Sequence, residues 1–164
     1  MTERFRSIDR IKWVAGTFAG TGLLPAAPGT WGSLVALILI YPIALRSGSA
    51  GVFTLAVLAS LLTLWAADAC ERRWGADPPE VVTDEVAGQA LTFLFTTFSG
   101  LITTDLFTLL AGFLLFRFFD ILKPFGIKQL QHFRSGLGIL LDDLAAGLYA
   151  LLCLQLGSGL LSLL

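Results

Sequence analysis

The sequence predicts an all-α, polytopic helical membrane bundle, with about five membrane segments and an irregular Gly/Pro-rich loop near its N-terminus. Three observations predict it. Of the 164 residues, 55% are hydrophobic and only 14% charged, whereas a soluble domain carries roughly 25% charge. Uncharged stretches near the roughly 17 residues needed to cross a bilayer recur along the chain. Lysine and arginine gather at alternate ends of those stretches, the signature of an oriented multi-pass protein. Residues 1–164 read as one domain, because no polar block is large enough to fold apart from the rest.

Met1 to Lys12 holds Arg4, Arg6, Arg10 and Lys12 with no apolar core before Trp13. It reads as a positively charged lead-in and not as a cleaved signal peptide. An amphipathic helix is the alternative, since Phe5, Ile8, Ile11 and Trp13 sit near helical spacing. The stretch 16–33 contains Gly16, Gly20, Gly22, Gly29 and Gly32 with Pro25 and Pro28. Glycine costs about 1 kcal/mol and proline about 3 kcal/mol inside a helix, so this stretch is expected to be a loop. Such backbone is tolerated near lipid only when buried in protein or lining a wet cavity, and glycine amides can cradle a phosphate.

Ser33 to Leu45 and Ala50 to Ala67 then read as an antiparallel helical pair joined by a small turn at Ser47 to Gly51. Asp68, Glu71, Arg72 and Arg73 return the chain to water, and Gly75, Asp77, Pro78 and Pro79 form a loop. Val86 to Ile102 is the third expected span and Leu106 to Ile121 the fourth, ended by Lys123-Pro124 because proline disfavours helix in the residue before it. Ile139 to Leu164 is the last. Cys70 and Cys153 fall in apolar stretches without CxxC or histidine partners, and read as small core or lipid-facing residues. Gly147 and Gly157 to Gly159 permit close helix contacts or an oligomer.

One set of segment ends carries Arg4, Arg6, Arg10, Lys12, Arg72, Arg73, Lys123, Lys128 and Arg134, and the other carries only Arg46. The positive-inside rule assigns the first set to the cytoplasm. Three acidic points fall on that same side although they played no part in the assignment: Asp84-Glu85, Asp120 and Asp142-Asp143. Charges at a membrane boundary are costly and usually functional.

Adjacent carboxylates at the mouth of an apolar helix repel and are desolvated, and a bound cation removes the penalty. Oxygen donors without cysteine or histidine select a hard metal, Mg²⁺ above all, which typically meets a substrate phosphate. Neighbours on a helix lie about 100° apart, so one member of each pair can ligate while the other points elsewhere or interacts with the helix N-terminus. Arg117, Asp120 and Lys123 are spaced three apart on one helix surface. They read either as an ion-pair ladder or as part of a phosphate site, with Gly29, Thr30 and Ser33 supplying amides and hydroxyls. The single His132 reads as a solvated loop residue.

Four runs carry a family resemblance: Leu24-Pro25-Ala26-Ala27-Pro28-Gly29-Thr30-Trp31-Gly32-Ser33-Leu34, Asp84-Glu85-Val86-Ala87-Gly88, Phe116-Arg117-Phe118-Phe119-Asp120-Ile121-Leu122-Lys123-Pro124, and 136–147 around Asp142-Asp143. In order, and over nearly the whole chain, they resemble phosphatidylglycerophosphatase A. Asp77 also resembles a family position, within a less specific run. The resemblance implies a Mg²⁺-dependent phosphatase of the bacterial inner membrane, acting on phosphatidylglycerophosphate at the cytoplasmic face. Asp84, Glu85, Asp142 and Asp143 would then hold metal, with Asp120 among the catalytic acids, while Gly29, Thr30, Ser33, Arg117 and Lys123 would bind phosphate. No nucleic-acid partner is expected.

Three other readings compete with this one. A CDP-alcohol-type phosphatidyl transferase lacks its long spaced aspartate signature here. A transporter or channel would distribute acids through the span, and a bare structural subunit leaves the three acidic clusters unexplained.

Overall fold

The computed structural model describes residues 7–124, 126–130, 133 and 136–161. These residues form helices α1 (Ser7–Gly16), α2 (Pro28–Trp74), α3 (Thr83–Thr92), α4 (Ile102–Leu122), α5 (Ile127–Leu130) and α6 (Gly136–Leu161), with a 3₁₀ turn at Thr21–Leu23. Among the described residues, two helices are long and apolar enough to cross a membrane, within Pro28–Trp74 and Gly136–Gly159. His132 and Arg134 lie outside the described residues.

Helix α2 is a hairpin. Gly48, at φ 55 and ψ −151, breaks its path, a backbone conformation that costs glycine little. Gly32 of the first arm packs on Val82, while Ala66 and Ala67 of the second arm cluster with Val81. In a straight helix Gly32 and Ala66 would stand about 50 Å apart, so the arms must double back. Ala36, Ile40, Val52, Ala56 and Ala59 from the two arms share one core cluster with Val86, Ala87 and Ala90 of α3. The small side chains allow these helices to approach closely.

Three expectations need correction. Residues 28–33 are not loop: Pro28 stands in the first turn of α2, where its fixed φ suits a helix and its missing N–H costs nothing. Gly29 and Gly32 serve close packing there, since a Cβ at Gly32 would come within 2.7 Å of Val82. The irregular stretch proper is 17–27, with Ala26 and Ala27 at positive φ.

The expected third span, Val86 to Ile102, is also not one helix. Helix α3 has 10 residues, about 15 Å of rise and half a bilayer core. Phe93 then turns away, fully buried, with its ring against Gly112 of α4. The polar backbone of 99–100 is satisfied by Asp105 instead of by helix, which is what hydropathy alone does not register. The count of about five spans is therefore not what is seen.

The lead-in, finally, is helical from Ser7, as in the amphipathic alternative. Tertiary contacts hold α1: Trp13 Nε1 donates to the Ala69 carbonyl at 2.9 Å, Lys12 pairs with Asp68 at 2.6 Å, and Arg72 with Asp9 at 2.9 Å.

Helix α3 is wedged between α2 and α6. A Cβ on Gly147 would overlap the Gly88 carbonyl oxygen, and one on Gly88 would press on the Asp143 carbonyl and the Phe116 ring. Backbone therefore meets backbone where α3 crosses α6. That crossing sets the first turn of α3 beside Asp143.

Candidate active site

The site is made where helix ends converge. The first turn of α3 supplies Asp84 and Glu85, the second turn of α6 supplies Asp142 and Asp143, and the last two turns of α4 supply Arg117 and Asp120. The first turn of α2 closes the group. A Cβ on Gly29 would overlap a Glu85 carboxylate oxygen and lie 3.1 Å from an Arg117 guanidinium nitrogen, so that turn touches both residues. Two helix N-termini, each the positive end of a helix dipole, thus face one charged cluster.

Asp84, Glu85 and Asp143 each offer a carboxylate oxygen within 4.8 Å of the other two. Asp84 and Asp143 are buried, at 7% and 4% exposure, and Glu85 is partly buried. Asp84 Oδ1 and Glu85 Oε2 have no hydrogen-bond partner. Burial pushes the Asp84 carboxyl well above its ordinary range, and the neighbouring Glu85 charge adds to this. For Glu85, removal from water and then the charge of Asp143 push the carboxyl up to about 8. Acids crowded in this way are unfavourable on their own. Orphaned oxygens, an all-oxygen donor set and close spacing fit a hard divalent cation, which would relieve the repulsion.

The two aspartates of α6 divide. Asp143 joins the cluster, whereas Asp142 is buried and contacts Lys123 Nζ. Desolvation would pull the Lys123 ammonium down, but the Asp142 contact outweighs it and raises the pKa. The 100° between neighbours on a helix accounts for the split. Asp120 forms an ion pair with Arg117, its carboxylate oxygen 2.7 Å from Nη1, and also stands against Asp143, whereas Lys123 of the expected ladder pairs with Asp142 instead. Asp77 lies near enough to Asp142 to act on its charge.

Of the other expected residues, Gly29 is in the site and Thr30 follows it, half-buried, in the same turn. Ser33 is fully buried and its hydroxyl donates to the Gly29 carbonyl at 2.8 Å, so it steadies the first turn of α2. The N-cap position of α3 is Val82, which offers no side-chain cap, and the Asp84 carboxylate takes a backbone hydrogen bond from Glu85 in that first turn.

Sequence reasoning missed Gln89. It is fully buried and both polar atoms of its amide lack partners. One turn beyond Glu85, it occupies the same face of α3. Its signal was a lone amide in an otherwise apolar run.

Fold and site together define a class: helical proteins of the membrane that gather buried carboxylates and cations into a site suited to phosphate chemistry. The family model described as Phosphatidylglycerophosphatase A matches residues 14–158, and the chain belongs to that family. It is 38% identical over 139 residues to a Bacteroides thetaiotaomicron protein carrying the provisional name phosphatidylinositol-3-phosphatase, covering 82% of this chain and 86% of that one. Phosphatidylglycerophosphatase A of Haemophilus influenzae is 35% identical over 135 residues, with 81% and 80% covered. The Escherichia coli protein of the same name is 30% identical over 131 residues, with 78% and 72% covered. No solved structure gives a significant match. The chain is thus a phosphatase whose substrates are phospholipids.

Proposed function

We propose that this protein is the Mg²⁺-dependent phosphatase that hydrolyses phosphatidylglycerophosphate to phosphatidylglycerol and inorganic phosphate, at the cytoplasmic face of the bacterial inner membrane. The observation that carries the proposal is the close trio of Asp84, Glu85 and Asp143, with unpartnered oxygens on Asp84 and Glu85. These three residues would hold the ion. A hard divalent cation bound there supplies positive charge that offsets the charge developing on the phosphate as its ester bond breaks.

Everything else is done by the chain. Arg117 presents a planar guanidinium suited to phosphate oxygens, and Lys123 places an ammonium nearby. The start of α2 at Gly29 adds the positive end of a helix dipole, and the Thr30 hydroxyl in the same turn adds a neutral donor. One carboxylate of the cluster accepts a proton from water as the water oxygen attacks phosphorus in line. The glycerol oxygen leaves with the bond electrons and is protonated, giving the free lipid alcohol and phosphate. Direct attack by a carboxylate, with hydrolysis of the resulting acyl phosphate, is the alternative.

Charge supports the orientation. The end of the bundle that bears the site also bears Arg10, Lys12, Arg72, Arg73, Lys123 and Lys128, whereas Arg46 stands near the opposite hairpin turn at Gly48. The positive-inside rule gives the site to the cytoplasm.

The test is phosphate release by the purified protein in detergent, with Mg²⁺ or with EDTA, from phosphatidylglycerophosphate, phosphatidic acid and phosphatidylinositol 3-phosphate. Mg²⁺-dependent release favouring the first substrate is expected. Preference for the inositol lipid, to which the Bacteroides relative's name points, would overturn the substrate. Release unaffected by EDTA would overturn the role of the carboxylates.

A further inference from the structure

Away from the carboxylates, a cavity of about 580 Å³ opens between α1 and the last turn of α2, lined in part by Arg10, Trp13, Val14, Leu23, Arg73 and Trp74. It shares no lining residue with the carboxylate site, and none of its lining residues is acidic. The other cations at this end of α1, α2 and α4 are engaged: Lys12 by Asp68, Arg72 by Asp9 and Asp68, Arg117 by Asp120, and Lys123 by Asp142. Among the described residues Arg10 and Arg73 form no ion pair. The Arg73 guanidinium lies instead over the Trp13 ring at 4.1 Å and near the Trp74 ring at 5.0 Å. Stacking occupies the face of a guanidinium and leaves its N–H edge for anionic oxygens.

The surroundings are apolar and exposed. Ile8, Ile11 and Val14 repeat every three residues along α1, at 46%, 57% and 58% exposure, and Leu23 and Leu24 extend the same kind of surface. A helix with cations and an exposed apolar face lies in the membrane interface, where tryptophan also concentrates. The cavity therefore combines two arginines that form no ion pair among the described residues with aromatic walls at the depth of lipid headgroups.

We propose that this cavity binds an anionic phospholipid, its headgroup phosphate held between Arg10 and Arg73 and its glycerol and upper acyl chains laid against Trp13, Val14, Leu23 and Trp74. This lipid is not the one hydrolysed. It seats α1, and α1 in turn holds the start of α3: the Gly16 carbonyl accepts from Val82 N at 2.9 Å and from Thr83 Oγ1 at 3.4 Å. A charged bilayer is thereby sensed one residue from Asp84. The inference requires a membrane setting but not the proposed substrate.

Trp13 and Trp74 report on it directly. In a Trp31→Phe, Trp65→Phe background, reconstituted in phosphatidylcholine nanodiscs, their fluorescence is titrated with dibrominated phosphatidylglycerol or dibrominated phosphatidylcholine. Quenching by the anionic lipid is expected to reach half its maximum at a roughly tenfold lower mole fraction, as two interfacial arginines can provide. Arg10→Gln with Arg73→Gln abolishes the difference, whereas Asp143→Asn keeps it. Native mass spectrometry of the unsubstituted chain, scoring retained phosphatidylglycerol against phosphatidylcholine, gives a readout independent of the tryptophan changes. Equal quenching by both lipids, selectivity that survives the double substitution, or selectivity lost in Asp143→Asn would each overturn the proposal. Displacement by millimolar inorganic phosphate alone would also overturn it, since the acyl contacts would then contribute nothing.

Discussion

Asp105 and Asp84 are both buried aspartates in the first turn of a helix, at 3% and 7% exposure, and they stand in opposite circumstances. Asp105 begins α4. Its carboxylate accepts from Ser99 N at 2.8 Å, Ser99 Oγ at 2.9 Å, Gly100 N at 2.9 Å and Tyr41 Oη at 3.0 Å. Every lone pair that matters has a donor, and the result is a turn tied to a helix. Asp84 begins α3 with Oδ1 unpartnered, beside Glu85 and Asp143. Burial of charge alone does not mark a working site. Burial without enough donors does, because the missing stabilisation must come from something that binds.

The largest expected effect is at the unsatisfied end. Asp84→Asn and Asp143→Asn each lower phosphate release by about 10³-fold or more, equivalent to about 4 kcal/mol of barrier. Both variants remain folded, and circular dichroism melts should show them no less stable, since each relieves the crowding of acids in the cluster. Near-normal release by either would remove that residue from the site.

Next comes the crossing that assembles the trio. Gly147→Ala drives a Cβ into the Gly88 carbonyl, and overpacking of this kind costs about 1–3 kcal/mol. Displacing Asp143 by even an ångström is expected to cost activity about a hundredfold. The control is Gly157→Ala, in the same helix, where an added Cβ meets nothing within 4 Å. Unfolding midpoints and turnover of the two variants should separate cleanly.

A smaller effect is a pH dependence that the Asp105 end lacks. Without metal, Glu85 keeps its proton up to about pH 8, so an incoming cation must expel it. Magnesium affinity should rise with pH towards about 8 and level off above it, by at most roughly tenfold per unit for one released proton. Calorimetry in two buffers of different ionisation enthalpy measures the released proton. A flat affinity across that range would mean that Glu85 is not a ligand.

The smallest effect is at the satisfied end. Tyr41→Phe removes one of several donors to Asp105, and is expected to lower the melting temperature by about 3 °C with turnover unchanged. A loss of turnover in this variant would show that the two ends are coupled.

The sequence made the chemistry more legible than the path of the chain. Asp84-Glu85, Asp120 and Asp142-Asp143 stood out because charge is scarce among so many apolar residues, and the helical period explains why Asp143 reaches the trio while Asp142 turns to Lys123. Path depended on contacts that composition does not encode. Gly29 and Gly32 counted against a helix, yet they are glycines because Glu85 and Val82 press on that helix. Val86 to Ile102 has no charge to end a span, but Phe93 docking on Gly112 and Asp105 capturing residues 99–100 end α3 early. Gly88 and Gly147 gave no sign that they face each other. Gln89 was hidden by the same apolar run that hid the end of its helix.

The most direct test is Mg²⁺ binding, measured by titration calorimetry on the unsubstituted protein, Asp84→Asn and Tyr41→Phe in the same detergent. The expected result is saturable binding by the unsubstituted protein and by Tyr41→Phe, with none detectable in Asp84→Asn. Equal binding by Asp84→Asn would contradict the assignment of the unsatisfied carboxylates as the metal site.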